Sequence, residues 1–426
     1  MVVVVSIAVV SALVVVLPLL HPPRPTRPPA SPPRPPASPT VPCPSQALPA
    51  AARAHLGRVA WVQAGTLRVV DLATCRQAAL VGSEAGPPVR FSPDGRWVAF
   101  GDGRVVPAAG GAVRGPLGSP AQDWAWSPTA DELLAGVSSK GGVAIAPPGG
   151  PARALLPDGS AARDLAFAPN GRRLAIARSG AGIQVLDVAT GRAHTVLPEP
   201  DPRRVPEVAG WSPDGGWVLY WRGPVGDGGG PLDAVPASGG GWVNLWGHVL
   251  PYPDLLSPCG HAVAITAGTG TALSVGKQIF LSNPPAWRFG DLSNDPSRSW
   301  FWPACSPDGR WMAAVDTLSQ PEQPDQTAPR ALWLLATDGS SHRILVPGFH
   351  GALECPRWSS DGTVILVVLR EGTQWASPGG LLLVQINPRS GRLVRKAGPL
   401  GDLGSAPGPG GHQAWAAISD WYRPSP

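Results

Sequence analysis

The sequence predicts an all-β protein assembled from one repeated unit, and two observations support this prediction. A turn motif, Ser-Pro-Asp-Gly or a close variant, recurs seven times, each time after an aromatic or apolar residue and before an apolar run. The copies start at Phe91, Trp126, Phe167, Trp211, Leu256, Cys305 and Trp358. Their proline positions are separated by 35, 41, 44, 45, 49 and 53 residues, the last one measured to Ser360. Such spacing is typical of repeat architectures.

Each copy has the chemistry of a β-hairpin. In FSPDGRWVAF, Phe91 ends one strand, Pro93 presets the first corner of the turn, and Asp94 bonds nearby backbone. Gly95 suits the left-handed position that the turn requires. The run up to Phe100 is apolar without alternation, which indicates a strand packed between two neighbouring sheets.

The composition describes a turn-rich but folded chain with a nearly neutral body. The 426 residues include 53 Gly and 54 Pro, yet 43% are hydrophobic and 18 are Trp. Disordered chains lack this apolar content. The net charge is +5, and Arg24, Arg27 and Arg34 of the N-terminal arm leave +2 for the rest. A nearly neutral body lacks the electrostatic signature of a nucleic-acid-binding protein, so we expect no nucleic-acid partner.

The first 20 residues predict a membrane segment. Met1 to Leu20 carry no charge, and a helix of about 20 apolar residues can cross the hydrocarbon core of a bilayer. The segment lacks the basic start of a signal peptide, so we expect an uncleaved anchor; a cleaved export signal is the alternative. Arg24 and its two neighbours in the arm would favour a cytoplasmic location for the following chain. We discount this because almost no tail precedes the helix.

Residues 21–55 predict a disordered stalk. Thirteen of the 28 residues from Pro22 to Pro49 are proline, which favours extended polyproline II without a core. A short proline-rich ligand for a recognition domain is the alternative, but such motifs are frequent by chance in a segment of this composition.

The first unit of the body lacks its first strand. LRVVDLATCR at 67–76 has the same register as IQVLDVATGR at 183–192, which identifies both as third strands with their exit turns. We expect the missing strand to come from the far end of the chain, at His412–Ser419 (HQAWAAIS). Pairing the two ends would close the sheets into a ring and remove two exposed edges.

The repeated unit resembles the WD-repeat-like units of TolB-type β-propellers, which also occur in the propellers of prolyl-oligopeptidase-type peptidases. The resemblance covers residues 56–422, leaves 423–426 as a tail, and implies a ring of four-stranded blades. Seven units plus the split one give eight blades, with seven as the alternative. Departures from the motif include Ala130 in place of glycine, Cys259 in place of aspartate and Ser360 in place of proline.

Acidic residues recur near the predicted inner strands. Asp123, Asp164, Glu207, Asp254 and Glu354 each lie two to four residues before the end of such a strand, so we expect them near one mouth of the central channel. The functional hypothesis is a ring that holds a cation or the Lys and Arg side chains of a partner. The alternative is that each carboxylate bonds backbone amides at the start of its own strand.

Long segments predict a binding surface at the same mouth. Residues 222–236, 267–277, 317–330 and 370–380 are interpreted as connections between the second and third strands of consecutive units. Clustered insertions on one face of a repeat protein are typical of binding surfaces. The segment Leu318–Ala328 is polar and rich in proline, and we expect its Glu322 and Asp325 to contact the partner.

The sequence carries none of the common catalytic motifs. It has no Gly-x-Ser-x-Gly, no His-Glu-x-x-His, no P-loop and no Cys-x-x-Cys, and its eight histidines are scattered. Only a short tail follows the repeats, so we expect no appended hydrolase domain, no enzyme activity and no cofactor. The five cysteines are Cys43, Cys75, Cys259, Cys305 and Cys355. We expect unrelated reduced thiols, with a Cys43–Cys75 disulfide as the alternative.

These observations predict a membrane-tethered, extracytoplasmic binding or assembly module with a protein partner or a cell-envelope ligand. We expect a single-pass protein of the cell membrane, with secretion after cleavage as the alternative. Two other functions remain open. One is a propeller enzyme, a glycan lyase or hydrolase, which would need two carboxyl groups about 5 to 9.5 Å apart in a pocket. The other is a ligand-sensing ectodomain.

Overall fold

The computed structural model describes most of the body of the chain. The described residues are 45, 48–63, 65–82, 84–129, 131–201, 203–222, 230–249, 256–268, 277–293, 295, 297–318, 330–349, 351–371, 379–400 and 419–422. All of them belong to one compact unit, Ser38–Pro426. The predicted membrane segment 1–20 and nearly all of the predicted stalk lie outside the described residues.

The described chain forms an eight-bladed β-propeller, as predicted. Blade 1 contains β1 Arg58–Gln63, β2 Thr66–Asp71, β3 Arg76–Val81 and β31 Ser419–Tyr422, and blade 2 contains β4 Val89–Phe91, β5 Trp97–Phe100 and β6 Arg104–Pro107. Blade 3 contains β7 Ala121–Trp126, β8 Leu134–Ser138, β9 Val143–Ala146 and β10 Arg153–Leu156, and blade 4 contains β11 Ala162–Phe167, β12 Arg173–Arg178, β13 Gly182–Asp187 and β14 Ala193–Leu197.

Four further antiparallel blades complete the ring. Blade 5 contains β15 Glu207–Trp211, β16 Trp217–Trp221, β17 Gly230–Pro236 and β18 Val243–Val249, and blade 6 contains β19 Leu256–Cys259, β20 Ala262–Gly268, β21 Lys277–Ser282 and β22 Gly290–Asp291. Blade 7 contains β23 Arg298–Cys305, β24 Trp311–Leu318, β25 Arg330–Ala336 and β26 His342–Phe349, and blade 8 contains β27 Gly351–Trp358, β28 Val364–Glu371, β29 Gly379–Ile386 and β30 Leu393–Leu400.

Blade 2 departs from the four-stranded pattern. Its sheet has three strands among the described residues, and the fourth position holds only an isolated bridge between Val105 and Arg114. The chain after β6 reads Ala-Ala-Gly-Gly-Ala, and the Gly110 amide turns back to the Pro107 carbonyl at 2.8 Å. Glycine is unfavourable in a strand, which accounts for the shortened blade.

The core consists of apolar clusters between neighbouring blades. Side chains alternate between the two faces of each second strand, so Val98 and Phe100 of β5 pack against blade 1 whereas Ala99 packs against blade 3. Blade 4 repeats this arrangement, with Leu174 facing blade 3 and Ala175 facing blade 5. The second strands are therefore buried on both faces, as their uninterrupted apolar runs predicted.

The Ser-Pro-Asp-Gly turns link the first and second strands through a side-chain network. The buried serine hydroxyl donates to the aspartate: Ser92 to Asp94 (2.6 Å), Ser212 to Asp214 (2.5 Å), Ser306 to Asp308 (2.6 Å) and Ser359 to Asp361 (2.6 Å). The same hydroxyl accepts the amide that starts the second strand, for example Trp97 N–H at 3.0 Å. Gly95 adopts φ 70°, the left-handed conformation that the turn was predicted to require.

A C-terminal strand closes the ring, although it lies further along the chain than predicted. Strand β31 pairs antiparallel with β1, from Arg58 opposite Tyr422 to Trp61 opposite Ser419. The prediction placed this strand at 412–419; residues 412–418 lie outside the described residues. Trp421 explains the position of the strand, because its indole donates a hydrogen bond to the Leu56 carbonyl and its ring packs in the cluster between blades 8 and 1.

A short helix precedes blade 1. Helix α1, Ala50–Ala54, packs through Ala52 in the same cluster as Leu48, Leu56 and Trp421. This helix lies inside the predicted stalk range 21–55, so the packed body already includes residue 48. Among the described residues, no helix is long and apolar enough to span a bilayer.

The expectation of reduced, unrelated thiols is wrong for most of the described cysteines. Cys259 at the end of β19 and Cys305 at the end of β23 form a disulfide that joins blades 6 and 7. Cys75 is also disulfide-bonded, whereas Cys355 keeps a buried thiol. Cys43 lies outside the described residues, so the Cys43–Cys75 pairing stays a prediction.

We predict that Trp421→Ala destabilises the whole propeller. Trp421 is 4% exposed, and removing a buried aromatic side chain costs about 3 to 5 kcal/mol. The expected result in urea unfolding is a single transition at a lower midpoint. Trp242→Ala is the matched control, because Trp242 is 47% exposed and its stacking with Arg222, at 3.8 Å, is worth about 0.5 to 1 kcal/mol. Equal midpoints for the two variants would contradict closure through β31.

Candidate functional site

The structure brings three of the predicted acids to neighbouring inner strands. Asp123 lies in β7, Asp164 in β11, and Glu207 starts β15, so they belong to the consecutive blades 3, 4 and 5. Glu354 lies in β27 of blade 8, where the structure describes only its backbone. The other predicted site residues, Asp254, Glu322 and Asp325, lie outside the described residues.

A bulge aims the two aspartates toward the next blade. The register of β7 against β8 shifts between Ala121 and Asp123, and that of β11 against β12 shifts between Ala162 and Asp164. The extra residue before each aspartate bends the strand near its start. Both carboxylates are thereby placed at the same height of the ring.

Each aspartate accepts a hydrogen bond from the inner strand of the following blade. The Asp123 Oδ2 accepts the Leu165 amide at 2.9 Å, and the Asp164 Oδ2 accepts the Val208 amide at 2.6 Å. The alternative that these acids bond backbone amides of their own strands holds in part, because Asp123 also accepts the Trp124 amide and Asp164 the Leu165 amide. The carboxylates join blade 3 to blade 4 and blade 4 to blade 5.

The two carboxyl groups also hydrogen-bond each other, and this contact perturbs both pKa values. Burial raises the pKa of Asp123, although its hydrogen bonds to Asp164 and to the Leu165 amide oppose this effect. Burial and the neighbouring Asp123 charge raise the pKa of Asp164 well above its usual range. The pair therefore holds one proton more readily than two separate surface aspartates would.

Proton sharing limits what the acidic pair can do as a cation site. Like charges at hydrogen-bonding distance cannot both ionise easily, so the pair presents less than two negative charges to the channel. Among the described residues, no group of three or more His, Cys, Asp and Glu side chains is arranged to hold a metal ion. The described acids act first as links between blades.

The connections between second and third strands differ sharply between the two halves of the ring. In blades 1 to 4 the residues between the second and third strands are 64–65, 101–103, 139–142 and 179–181. In blades 5 to 8 they are 222–229, 269–276, 319–329 and 372–378. The predicted position of all four long segments between second and third strands is confirmed. The first is shorter than predicted, because residues 230–236 form β17.

A cavity that sequence reasoning did not find lies at the other end of the channel. Its volume is about 320 Å³, and its lining comes from the inner strands β4, β19, β23 and β27. The lining includes Ser257 and Pro258, which belong to a Ser-Pro-Cys-Gly turn, so the cavity lies in the half of the channel nearest the turns. A signal was present in the sequence: β23 and β27 both contain a proline, which is unusual in a strand interior.

Comparison with known proteins supports the fold and leaves the family open. No family model matches the chain, and no curated protein matches it. A eukaryotic initiation factor has a similar structure with a TM-score of 0.54 and 12% identity, covering 86% of this chain and 87% of the other. At this identity the likeness shows the fold alone.

Two weaker structural matches belong to other propeller proteins. A structure described as TolB from Agrobacterium tumefaciens shares 17% identity with a TM-score of 0.34, covering 60% of this chain and 85% of that one. An oligogalacturonate lyase in complex with manganese shares 15% identity with a TM-score of 0.44, covering 79% and 82%. The eight-bladed, all-β fold rests on the strand pairing of the described chain itself.

Proposed function

We propose that this chain is a membrane-tethered, extracytoplasmic propeller of the TolB-like, Ser-Pro-Asp-Gly repeat type that binds a protein partner or a cell-envelope ligand. The observation that carries the proposal is the asymmetry of the connections between second and third strands. In four consecutive blades the second and third strands are separated by longer stretches of sequence than in the other four, where they are joined by tight turns. Long connections concentrated on one side of a rigid ring form a contiguous surface for a partner.

Two features support a location outside the cytoplasm. The disulfide between Cys259 and Cys305 suits an oxidising compartment, since structural disulfides are rare in the cytosol. The uncharged segment Met1–Leu20 provides an anchor or export signal of sufficient length. In this proposal the proline-rich arm holds the propeller away from the membrane.

The described acids favour binding over glycan cleavage. A glycan hydrolase needs two carboxyl groups about 5 to 9.5 Å apart, so that substrate and water fit between them. Asp123 and Asp164 instead contact each other directly, which leaves no room for a sugar. Because this pair carries less than two negative charges, it attracts Lys and Arg side chains only weakly. We therefore assign partner contact primarily to the long connections, including Glu322 and Asp325, and secondarily to the acidic ring.

Shortening a long connection should abolish partner capture and leave the fold intact. We expect replacement of 319–329 by a short Gly-Ser linker to change the melting temperature little, because the entropy of loop closure varies slowly with length. Partner recovery after crosslinking in membranes is the measurement. The control replaces 237–242, a connection between third and fourth strands of blade 5 on the opposite face. Loss of capture in the control, or none in the 319–329 variant, would place the interface elsewhere.

The location is tested by protease accessibility. If Met1–Leu20 anchors the chain with the propeller outside, protease added to intact cells or spheroplasts should digest or release the body, because it is not shielded by the membrane. Immunoblotting of the pellet and supernatant detects both outcomes, and a cytoplasmic protein serves as the control for lysis. Full protection of the body until the membrane is permeabilised would refute the extracytoplasmic location.

The shared proton of the acidic pair predicts a pH-dependent effect of substitution. The pKa of Asp164 is raised in the folded state. Above about pH 3.9 the native state therefore keeps a proton that the unfolded state has released. The free energy of unfolding falls as the pH rises from there toward the folded pKa. Asp164→Asn mimics the protonated form. The free energy of unfolding of the Asp164→Asn variant, relative to that of the parent protein, should therefore increase from pH 5 to pH 8. Urea unfolding at the two pH values measures this difference.

A truncating variant controls for the hydrogen bonds. Asp164→Ala removes the acceptor of the Val208 amide and should cost about 1 to 3 kcal/mol at both pH values. If Asp164→Asn differs from the parent protein by the same amount at pH 5 and pH 8, the two carboxyl groups do not share a proton.

A further inference from the structure

The outer strand of blade 8 is exposed at its start. Strand β30, Leu393–Leu400, pairs with β29 on one side and forms the edge of its sheet on the other. The five residues from Arg392 to Lys396 are all exposed, whereas the outer strand of blade 4 buries Val196. Leu393 and Val394 are 41% and 58% exposed. Val394 is thereby the most exposed large apolar side chain among the described residues.

The same segment is basic. Residues 379–400 contain no Asp or Glu and four basic residues, Arg389, Arg392, Arg395 and Lys396. Arg343 of blade 7 adds a cation beside them, because its guanidinium donates to the Ser390 carbonyl at 2.9 Å. Among the described residues, no carboxylate lies within ion-pair distance of Arg392 or Lys396. The basic rim is the surface formed by Arg389, Arg392, Leu393, Val394 and Lys396.

The edge of β30 is poorly suited to accept another strand. The register between β29 and β30 shifts at Val394, which is a bulged residue without a partner in the ladder. Pro399 provides no N–H group, and a lysine or a bulge at a sheet edge opposes strand addition. Antiparallel pairing with a second copy would also bring the arginine and lysine side chains of the two copies together, which is unfavourable. A partner strand and a second copy are therefore poor occupants of this edge.

The N-terminal arm joins the body at the same blade. Leu48 and helix α1 pack in one cluster with Leu381 and Leu383 of β29, the strand next to β30. The uncharged segment Met1–Leu20 lies upstream in this arm. With that segment as the proposed anchor, the arm from the bilayer enters the ring at blade 8. A tether holds a second contact at high effective concentration, so even a weak contact with the bilayer is sufficient.

We propose that the basic rim docks on the surface of an anionic phospholipid bilayer. Its cations lie near the phosphate oxygens of the headgroups, and Leu393 and Val394 enter the headgroup layer. The contact stays at this depth, because the unpaired backbone groups of an edge strand need water. The inference rests on the proposed tether, which keeps a bilayer within reach. It assigns to blade 8 a contact separate from the partner surface of the long connections.

The test reconstitutes the full-length protein in vesicles of phosphatidylcholine alone and in vesicles of equal parts phosphatidylcholine and phosphatidylglycerol. Energy transfer from tryptophan to a dansyl group on the lipid headgroups measures the ratio of docked to undocked propeller. We expect stronger transfer in the anionic vesicles and loss of this difference at high salt, because salt screens the attraction. Arg392→Gln and Lys396→Gln should each lower the docked ratio about fivefold, the effect of removing one cation near an anionic surface.

Arg192→Gln is the matched control, because Arg192 occupies the position of Arg392 in blade 4, on the opposite side of the ring. Both arginines are exposed, and each follows a left-handed glycine, Gly191 (φ 71°) or Gly391 (φ 63°). In both blades the arginine carbonyl accepts the amide five residues upstream at 2.9 Å. We expect Arg192→Gln to change the docked ratio less than about twofold, because attraction to the surface is screened within about 10 Å. Equal melting temperatures of the two variants exclude misfolding as the cause.

Flotation distinguishes a failure of the tether from a failure of the basic rim. A chain that does not float with phosphatidylcholine vesicles lacks the proposed anchor, and its flotation with the anionic vesicles then measures docking by the basic rim alone. The docking proposal is overturned if energy transfer, or flotation in that case, is equal with the two vesicle compositions. It is also overturned if Arg192→Gln lowers docking as much as Arg392→Gln does. Either result would favour an acidic protein surface as the occupant of the rim.

Discussion

No blade of this propeller can bury its apolar surface alone, and this constraint shapes the whole chain. The side chains of each second strand point alternately into the apolar clusters on its two sides. In β5, Val98 packs against blade 1 and Ala99 packs against blade 3. A row of such blades would leave one apolar face exposed at each end. Only closure removes both faces, which is why Trp421 of the last strand packs with Leu56 near the first.

The features of the fold that depend on local chemistry were predictable from the sequence. The Ser-Pro-Asp-Gly turns set strand order, and the apolar runs indicated burial on both faces. The links between blades were not predictable from a single copy. Trp126, Trp211 and Trp358 end their strands in the same position, and each indole donates to a carbonyl of the preceding blade's inner strand. The aromatic residue of the motif is therefore a contact between blades, and the sequence alone gives no partner for it.

Two residues that depart from the repeated motif form a contact between neighbouring blades. Cys259 replaces the turn aspartate in blade 6, and Cys305 replaces the strand-ending aromatic in blade 7. Since that aromatic position faces the preceding blade, two cysteines in consecutive copies at these positions are placed to meet, and they form the disulfide. Asp123 and Asp164 bond amides of the next blade as well as amides of their own strands, and the links to the next blade are visible only in the three-dimensional ring.

The bulge of the inner strand lies in two different places around the ring. In blades 3 and 4 it precedes Asp123 and Asp164, whose carboxylates fasten one blade to the next. In blades 7 and 8 it lies nearer the turn and contains Trp302 and Cys355 in left-handed conformations. The Trp358 indole joins these two blades. The strained backbone at the bulge therefore shapes the cavity near Arg357.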